Sequence, residues 1–340
     1  MIVNSAFKPA WWLTNKHMQT MYSTFMRHVK APIDSIERFE LPDGDFVDLA
    51  WAENGLSLDA PLVVFLHGLG GSVDSTYVAG QLRAFNQQGW RAVLMHFRGA
   101  SHEPNRLPRA YHSGDTCDLD CLLNALAKRE PHTKKALVGF SLGGNVALKW
   151  LGEHGSQSIV QAAVAVSVPY QLRLVADSVN RGFARFYQVY LLSRLREVFI
   201  RKLKMEGNSL PFAEKELDAL RCFWTFDENI TARLHGFPHV HAYYRESSSR
   251  QYLKHINTPT LLIHALDDPF MTPEVLPGED ELSSQVTLEI SSRGGHVGFV
   301  SGGVPGMPEY WLDKRIPAFL KEKLGCPLPV NESQPDNSQG

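Results

Sequence analysis

The sequence predicts a doubly wound α/β fold: a mostly parallel sheet with helices on both faces and one helical insertion. Three observations lead there. Short, near-continuous runs of Val, Ile, Leu and Ala recur along the chain, as strands buried on both faces require. Helical patterns separate several of them, which is the alternation of βαβ units. Each run ends in small or polar residues, and such sheets bind their ligands beyond the carboxyl ends of the strands.

The elements follow in order. Between Ile36 and Ala52, "IERFELPDGDFVDLAWA" alternates apolar and polar residues around Pro42-Asp43-Gly44, a hairpin signal. The buried runs are "PLVVFLHGLGG" (61–71), "RAVLMHFRGA" (91–100), "KKALVGFSLGG" (134–144), "AAVAVSVP" (162–169), "TPTLLIHALDD" (258–268) and "VTLEISSRGGH" (286–296). Helical patterns lie before the second ("VAGQLRAFNQQGW"), before the third ("DTCDLDCLLNALAKR") and after it ("GNVALKWLGEHG"). From Gln171 to His255 no strand run occurs. Amphipathic pieces such as "FARFYQVYLLSRLREVFIRKLK" and "PFAEKELDALRCFWTF" take its place. This interval reads as a helical lid capping the sheet's carboxyl edge, and its basic, apolar stretch is also of a kind that makes peripheral membrane contact. The expected organisation is a core of residues 1–170 and 256–325, a lid or cap insertion over 171–255, and a polar, disordered tail over 326–340 with three prolines.

Composition narrows the function classes. The 340 residues are 44% hydrophobic and 21% charged, with a formal net charge of −2, an ordinary globular balance. That charge makes no case for nucleic acid as a partner. Cys117, Cys121, Cys222 and Cys326 lack a CxxC spacing and form no disulfide framework. Cys117 and Cys121, four apart, share a helix face and read as core or half-buried residues, not metal ligands. The start, "MIVNSAFKPAWWLTNKHMQT", lacks the apolar core and cleavage site of a signal peptide. No apolar run reaches eighteen residues, so no transmembrane segment is expected, and the cytoplasm is the expected location.

The chemistry gathers at the strand ends. Gly139-Phe140-Ser141-Leu142-Gly143 fits G-x-S-x-G between a strand and a helix, the context that exposes a serine on a strained turn. A hydroxyl is a weak nucleophile until a base takes its proton and a carboxylate orients that base. "LIHALDDPFMTP" ends a strand in two aspartates. Asp268 is the expected acid and Asp267 a loop-fixing residue. "SSRGGHVGF" places His296, the expected base, among glycines after the last strand run, as a mobile loop beside a crowded site would. The oxyanion donors expected are the backbone N–H of Leu142, after the nucleophile, and of Leu69, in "FLHGLGGS". That glycine loop is no phosphate cradle, because it lacks GxGxxG and no G-K-S/T follows. No metal or cofactor site is read. His67 should bond to backbone and shape the loop. Arg98 should pair with a carboxylate, and Asp115 should cap a helix. Tyr111, His112 and Ser113 read as loop residues. Trp11, Trp12 and His17 read either as core or as residues closing over the site.

The set "HGLGG", "RGAS", "GFSLGGN", "DDP" and "GGHVGF", in the order serine, acid, histidine, resembles the α/β-hydrolase superfamily. More narrowly it resembles the AB hydrolase 4 family and its bacterial esterases, a likeness extended by "PAWWLTNKHMQT" and "FRGASHEPNRLPRAYHSGDTCDL" and running from about Phe7 to Leu324. The resemblance implies a serine hydrolase with Ser141, Asp268 and His296 as its charge-relay residues. It implies small-molecule carboxylic esters, short acyl esters or acylglycerols, as substrates. Eukaryotic relatives often carry a membrane-anchoring N-terminal helix, and none is expected here. A thioesterase or acyltransferase would use the same residues. A non-catalytic protein that binds a lipid or partner is the alternative from another class.

Overall fold

Strand-forming runs and amphipathic helices assemble as their periodicities demand. The computed structural model describes residues 1–325 apart from Asn54 and Asn208. The tail expected to be disordered, Cys326 included, lies outside the described residues. The chain opens with β1 (Ile2–Asn4) and α1 (Lys16–Met26), then the hairpin β2 (Ser35–Glu40) and β3 (Phe46–Ala52). Next come β4 (Leu62–Leu66), α2 (Thr76–Gln87), β5 (Arg91–Met95), α3 (Cys117–Arg129), β6 (Lys135–Phe140), α4 (Leu142–His154) and β7 (Ala162–Val166).

The strand-free interval holds α5 (Leu172–Val179), α6 (Ala184–Leu203), α7 (Glu214–Ala219), α8 (Phe223–Phe226), a π-helical turn at Asp227–Ala232 and α9 (Val240–Ser247). The sheet resumes with β8 (Thr260–Ala265) and β9 (Val286–Ser291). A separate hairpin, β10 (Val300–Val304) and β11 (Met307–Tyr310), precedes α10 (Leu312–Leu324).

The nine strands lie in the order β1-β9-β8-β7-β6-β4-β5-β3-β2. From β5 to β1 every pairing is parallel, while β3 runs antiparallel to β5 and β2 to β3. After β4 the chain steps to one side for β5 and returns to the other for β6. The switch point therefore lies between β4 and β6, where such sheets open a crevice at their carboxyl ends. Alternate side chains feed two cores. Val64 and Leu66 pack on the α3 and α4 side with Leu122, Val146 and Trp150. Val63 and Phe65 pack on the other side with Leu82, Phe85, Ile316 and Leu320.

Three strands escape a reading by periodicity. β1 is three residues long, yet Met1 donates its amino group to Val286 O and Ser5 bonds Glu289, so it covers the β9 edge. β10 and β11 mean that His296 does not follow the last strand of the chain, only the last strand of the main sheet. Cys117 is exposed and Cys121 half-buried, because the core-facing positions of α3 belong to Leu119, Leu122, Leu123 and Leu126.

The hairpin is fastened by a buried cation. Arg98 grips Asp118 at 2.7 and 2.6 Å and meets Asp43 at 2.7 Å and Asp45 at 3.0 Å. This is the carboxylate pairing expected of it. Asp115 departs from expectation: its carboxylate pairs with Arg109 at 2.7 Å, and α3 begins at Thr116 with no side-chain cap. Arg98→Met would strand Asp45 and Asp118 in the core, at a cost of about 3–5 kcal/mol. Urea denaturation should report that loss, and Asp118→Asn in the same chain should restore part of it.

Candidate active site

Ser141 stands between the end of β6 and the first turn of α4, at φ 50° and ψ −116°. A left-handed conformation is costly for a residue with a side chain. Two backbone bonds hold it: Ser141 N donates to Val166 O at 2.8 Å, and Ser141 O accepts from Asn145 N at 3.0 Å. The glycines of the motif have steric reasons. A Cβ on Gly143 would lie 2.5 Å from the carbonyl oxygens of Leu66 and His67. One on Gly139 would lie 2.6 Å from Gly143 C. Only bare backbone lets α4 start this close to the end of β4.

His296 reaches the serine from the far side. Its Nε2 lies 3.0 Å from Ser141 Oγ, and its Nδ1 lies 2.7 Å from Asp268 Oδ2. Asp268 is buried just past β8, and its other oxygen accepts from Phe270 N at 2.8 Å. The Phe270 ring stacks on the imidazole at 4.0 Å and 10°. Asp267 instead accepts the Gly295 N–H at 2.9 Å, a loop-fixing bond. Burial pushes its carboxyl above the usual range.

The histidine loop is clamped, contrary to the mobile loop expected. His296 N donates to Thr20 Oγ1 on α1 at 2.9 Å, and Val297 N donates to Ser167 Oγ at 3.0 Å. Gly295, at φ 62°, passes so near α1 that a Cβ would sit 2.6 Å from Lys16 O. Helix α1 is thus a wall of the site. His17 faces the insertion, with Nδ1 3.1 Å from Tyr187 OH. Trp11 is exposed, and Trp12 packs on Tyr22.

The glycine loop after β4 borders Ser141: a Cβ on Gly68 would lie 3.4 Å from Ser141 Cβ. Its N–H groups are almost all used. Gly68 donates to Tyr77 OH at 2.8 Å, Gly70 to Tyr111 OH at 3.0 Å, and Gly71 to Gly68 O at 2.9 Å. Among the described residues of this loop, Leu69 N–H has no protein acceptor. Leu142 N–H opens α4 and has no intrahelical acceptor either. His67 shapes the loop as expected. Its Nε2 accepts from Phe97 N at 3.2 Å, so Nδ1 carries the proton and donates to Gly68 O at 2.7 Å.

A cavity of about 800 Å³ opens over Ser141 and His296. Leu172, Val175, Ala176, Val179 and Leu195 of the insertion give it an apolar wall, and Phe25 and Phe186 stand at its edge. Asp227 also lines it, bonded by Thr231 and Tyr244 hydroxyls at 2.7 and 2.8 Å, with burial pushing its carboxyl up to about 6. Asn145 locks the floor. It donates to Ser113 O at 2.8 Å and Ser247 O at 2.7 Å and accepts from Ser249 N at 3.0 Å. That explains the asparagine in "GFSLGGN". Thr20, Tyr77, Tyr187 and Phe270 carried no sequence signal, because their roles depend on contacts between distant segments.

The donor atoms of His112, Asp115 and His235 lie within 4.8 Å of one another, as metal ligands can. Protein partners already occupy two of them: Arg109 neutralises Asp115, and Gly114 N donates to His112 Nδ1 at 3.1 Å.

The sheet order, the serine elbow and the cavity belong to one recognised class. A family model for the alpha/beta hydrolase fold matches residues 61–303, and the chain belongs to that family. The Escherichia coli (strain K12) protein named "Putative esterase YheT" is 43% identical over 322 residues, covering 94% of each chain. A Saccharomyces cerevisiae protein named monoacylglycerol lipase is 30% identical over 246 residues, 70% of this chain and 55% of its own. Human phospholipase ABHD3 is 26% identical over 336 residues, covering 94% of this chain and 80% of its own. The solved Pyrococcus furiosus esterase Pf2001 shares the fold, with a TM-score of 0.55 at 18% identity over 86% of this chain and 94% of its own.

Gly143→Ala should destabilise the elbow, since the methyl group meets rigid carbonyls; solubility and a lowered melting temperature would report it. Burial holds His67, His112 and His235 down to about 3 and His264 down to about 4, against 6.5 when exposed. Unfolded chains then bind more protons than folded ones below pH 6.5. Stability should therefore be full above about 6.5 and fall steeply towards pH 4, as melts across that range would show.

Proposed function

We propose that the protein hydrolyses carboxylic esters through an acyl-enzyme formed on Ser141, with His296 as base and Asp268 as its orienting acid. One observation carries the reading: the continuous hydrogen-bonded line from Asp268 Oδ2 through both nitrogens of His296 to Ser141 Oγ. A carboxylate on Nδ1 keeps the proton there and leaves the Nε2 lone pair to accept the serine proton. The kinship with proteins named esterase and monoacylglycerol lipase supports the same chemistry.

The steps follow from the geometry. Ser141 Oγ adds to the ester carbonyl carbon as its proton passes to His296 Nε2. Asp268 stabilises the imidazolium. The N–H groups of Leu69 and Leu142 receive the oxyanion, helped by the positive end of α4. The tetrahedral adduct collapses, the C–O bond to the alcohol breaks, and Nε2 returns the proton to the departing oxygen. Water then takes the alcohol's place. Nε2 accepts its proton, hydroxide adds to the acyl carbon, and collapse releases the acid and restores the serine. The apolar wall contributed by residues 171–255, acting as a lid, accommodates the acyl chain. Protein groups and water suffice for every step.

A fluorophosphonate probe should label the wild-type protein and leave Ser141→Ala unlabelled. Turnover of p-nitrophenyl esters should fall about 10⁴-fold or more in that variant. Folded wild type that takes no label would make the protein a binding protein and overturn the proposal. Asp268→Asn should cost about as much as the serine, since the imidazole loses its tautomer and orientation. Asp267→Asn should cost less than about tenfold, because asparagine keeps an oxygen for the Gly295 N–H. The reverse order of the two would move the acid to Asp267.

A further inference from the structure

Beside the cavity mouth, α1 and α6 carry exposed apolar side chains. On the α6 side Phe183 is 54% exposed, Phe186 64% and Val189 60%. Their spacing of three places them on one helix face. On α1, Phe25 is 68% and Met26 58% exposed. The two helices adjoin, with the His17 and Phe183 rings 4.4 Å apart. Phe25 and Phe186 both line the cavity, so the apolar rim is continuous with the space over Ser141.

Charge marks the same rim. The chain as a whole is slightly acidic, yet residues 173–204 hold eight Lys and Arg against two acidic residues, Asp177 and Glu197. Arg181 and Arg185 are exposed, flank Phe183, and have no carboxylate partner among the described residues. Asp177 is already bonded to Trp224 and Glu197 to Arg194. Exposed aromatic groups edged by free cations suit the boundary between anionic headgroups and acyl chains. A second copy of this chain is a poorer occupant, because a two-fold contact would set Arg181 and Arg185 against their own equivalents.

We propose that the rim built from α1 and α6 docks on a bilayer surface containing anionic phospholipid, setting the cavity mouth against the lipid. The docking surface stands on exposure and charge. Only its consequence, that the acyl ester is drawn from the bilayer, rests on the proposed ester hydrolysis.

Sedimentation of the full chain with sucrose-loaded vesicles tests it. Vesicles of phosphatidylcholine with a quarter phosphatidylglycerol should retain the protein, pure phosphatidylcholine much less, and rising salt should release it. The double variants Phe183→Ser/Met26→Ser and Arg181→Gln/Arg185→Gln should each lose about tenfold or more in binding. Both should hydrolyse a water-soluble short ester within about twofold of wild type, which shows that they are folded. Wild type that stays in solution at every lipid composition would overturn the proposal, as would variants that bind undiminished. A dimer in sedimentation velocity that these substitutions dissociate would instead make the rim an interface between copies. Retention on vesicles without turnover of any soluble ester would overturn the ester-hydrolase reading and leave the docking surface standing.

Discussion

The close approach of three backbone segments around Ser141 is the constraint on which the site depends. The serine's left-handed conformation costs free energy, and the protein meets that cost with structure formed elsewhere. The β6–β7 pairing supplies Val166 O for the serine N–H, and α4 supplies the Asn145 N–H for its carbonyl. Bare glycines at 139 and 143 allow the packing, since side chains there would meet backbone within 2.6 Å. The position of the hydroxyl is therefore set by the sheet and not by its own rotamer alone.

Two further segments complete what the elbow begins. Helix α1, far from the sheet in sequence, donates Thr20 as an acceptor for the His296 N–H and fits its backbone against Gly295. The helical interval between β7 and β8 contributes the apolar wall and is tethered by a buried lysine. Lys202 on α6 donates to Asn105 Oδ1 at 2.7 Å and Arg109 O at 3.0 Å, and burial pushes its ammonium down to about 8. The same helix presents its opposite, exposed face to solvent. One element thus closes the cavity on one side and offers an apolar, basic surface on the other.

How much was legible depended on the range of the interaction. The main-sheet strands from β4 to β9 were legible because burial leaves a near-continuous apolar run, and the β2–β3 hairpin because its turn residues are local. β1 was not: three residues, exposed at one face of the sheet's edge, leave no pattern to read. Ser141 and His296 stood out by motif and position. Asp268 could be preferred over Asp267 but not separated from it, because adjacent residues share the same local sequence. Asp115 misled for a similar reason. A carboxylate just before a helix suggests a cap, and only the fold brings Arg109 within 2.7 Å to claim it.

By itself the sequence determined the α/β class, the order of the strand runs, and the glycine-flanked serine that only a strand-to-helix turn would need. These are properties of periodicity and of local backbone conformation, which the chain carries within a few residues. The tertiary structure alone decided which aspartate meets His296, and that the histidine loop is clamped instead of mobile. It alone made α1 a wall of the cavity and left Leu69 N–H without an acceptor while its neighbours in the loop are bonded. Each of those depends on atoms brought within about 3 Å from parts of the chain far apart in sequence, a distance that no local pattern encodes.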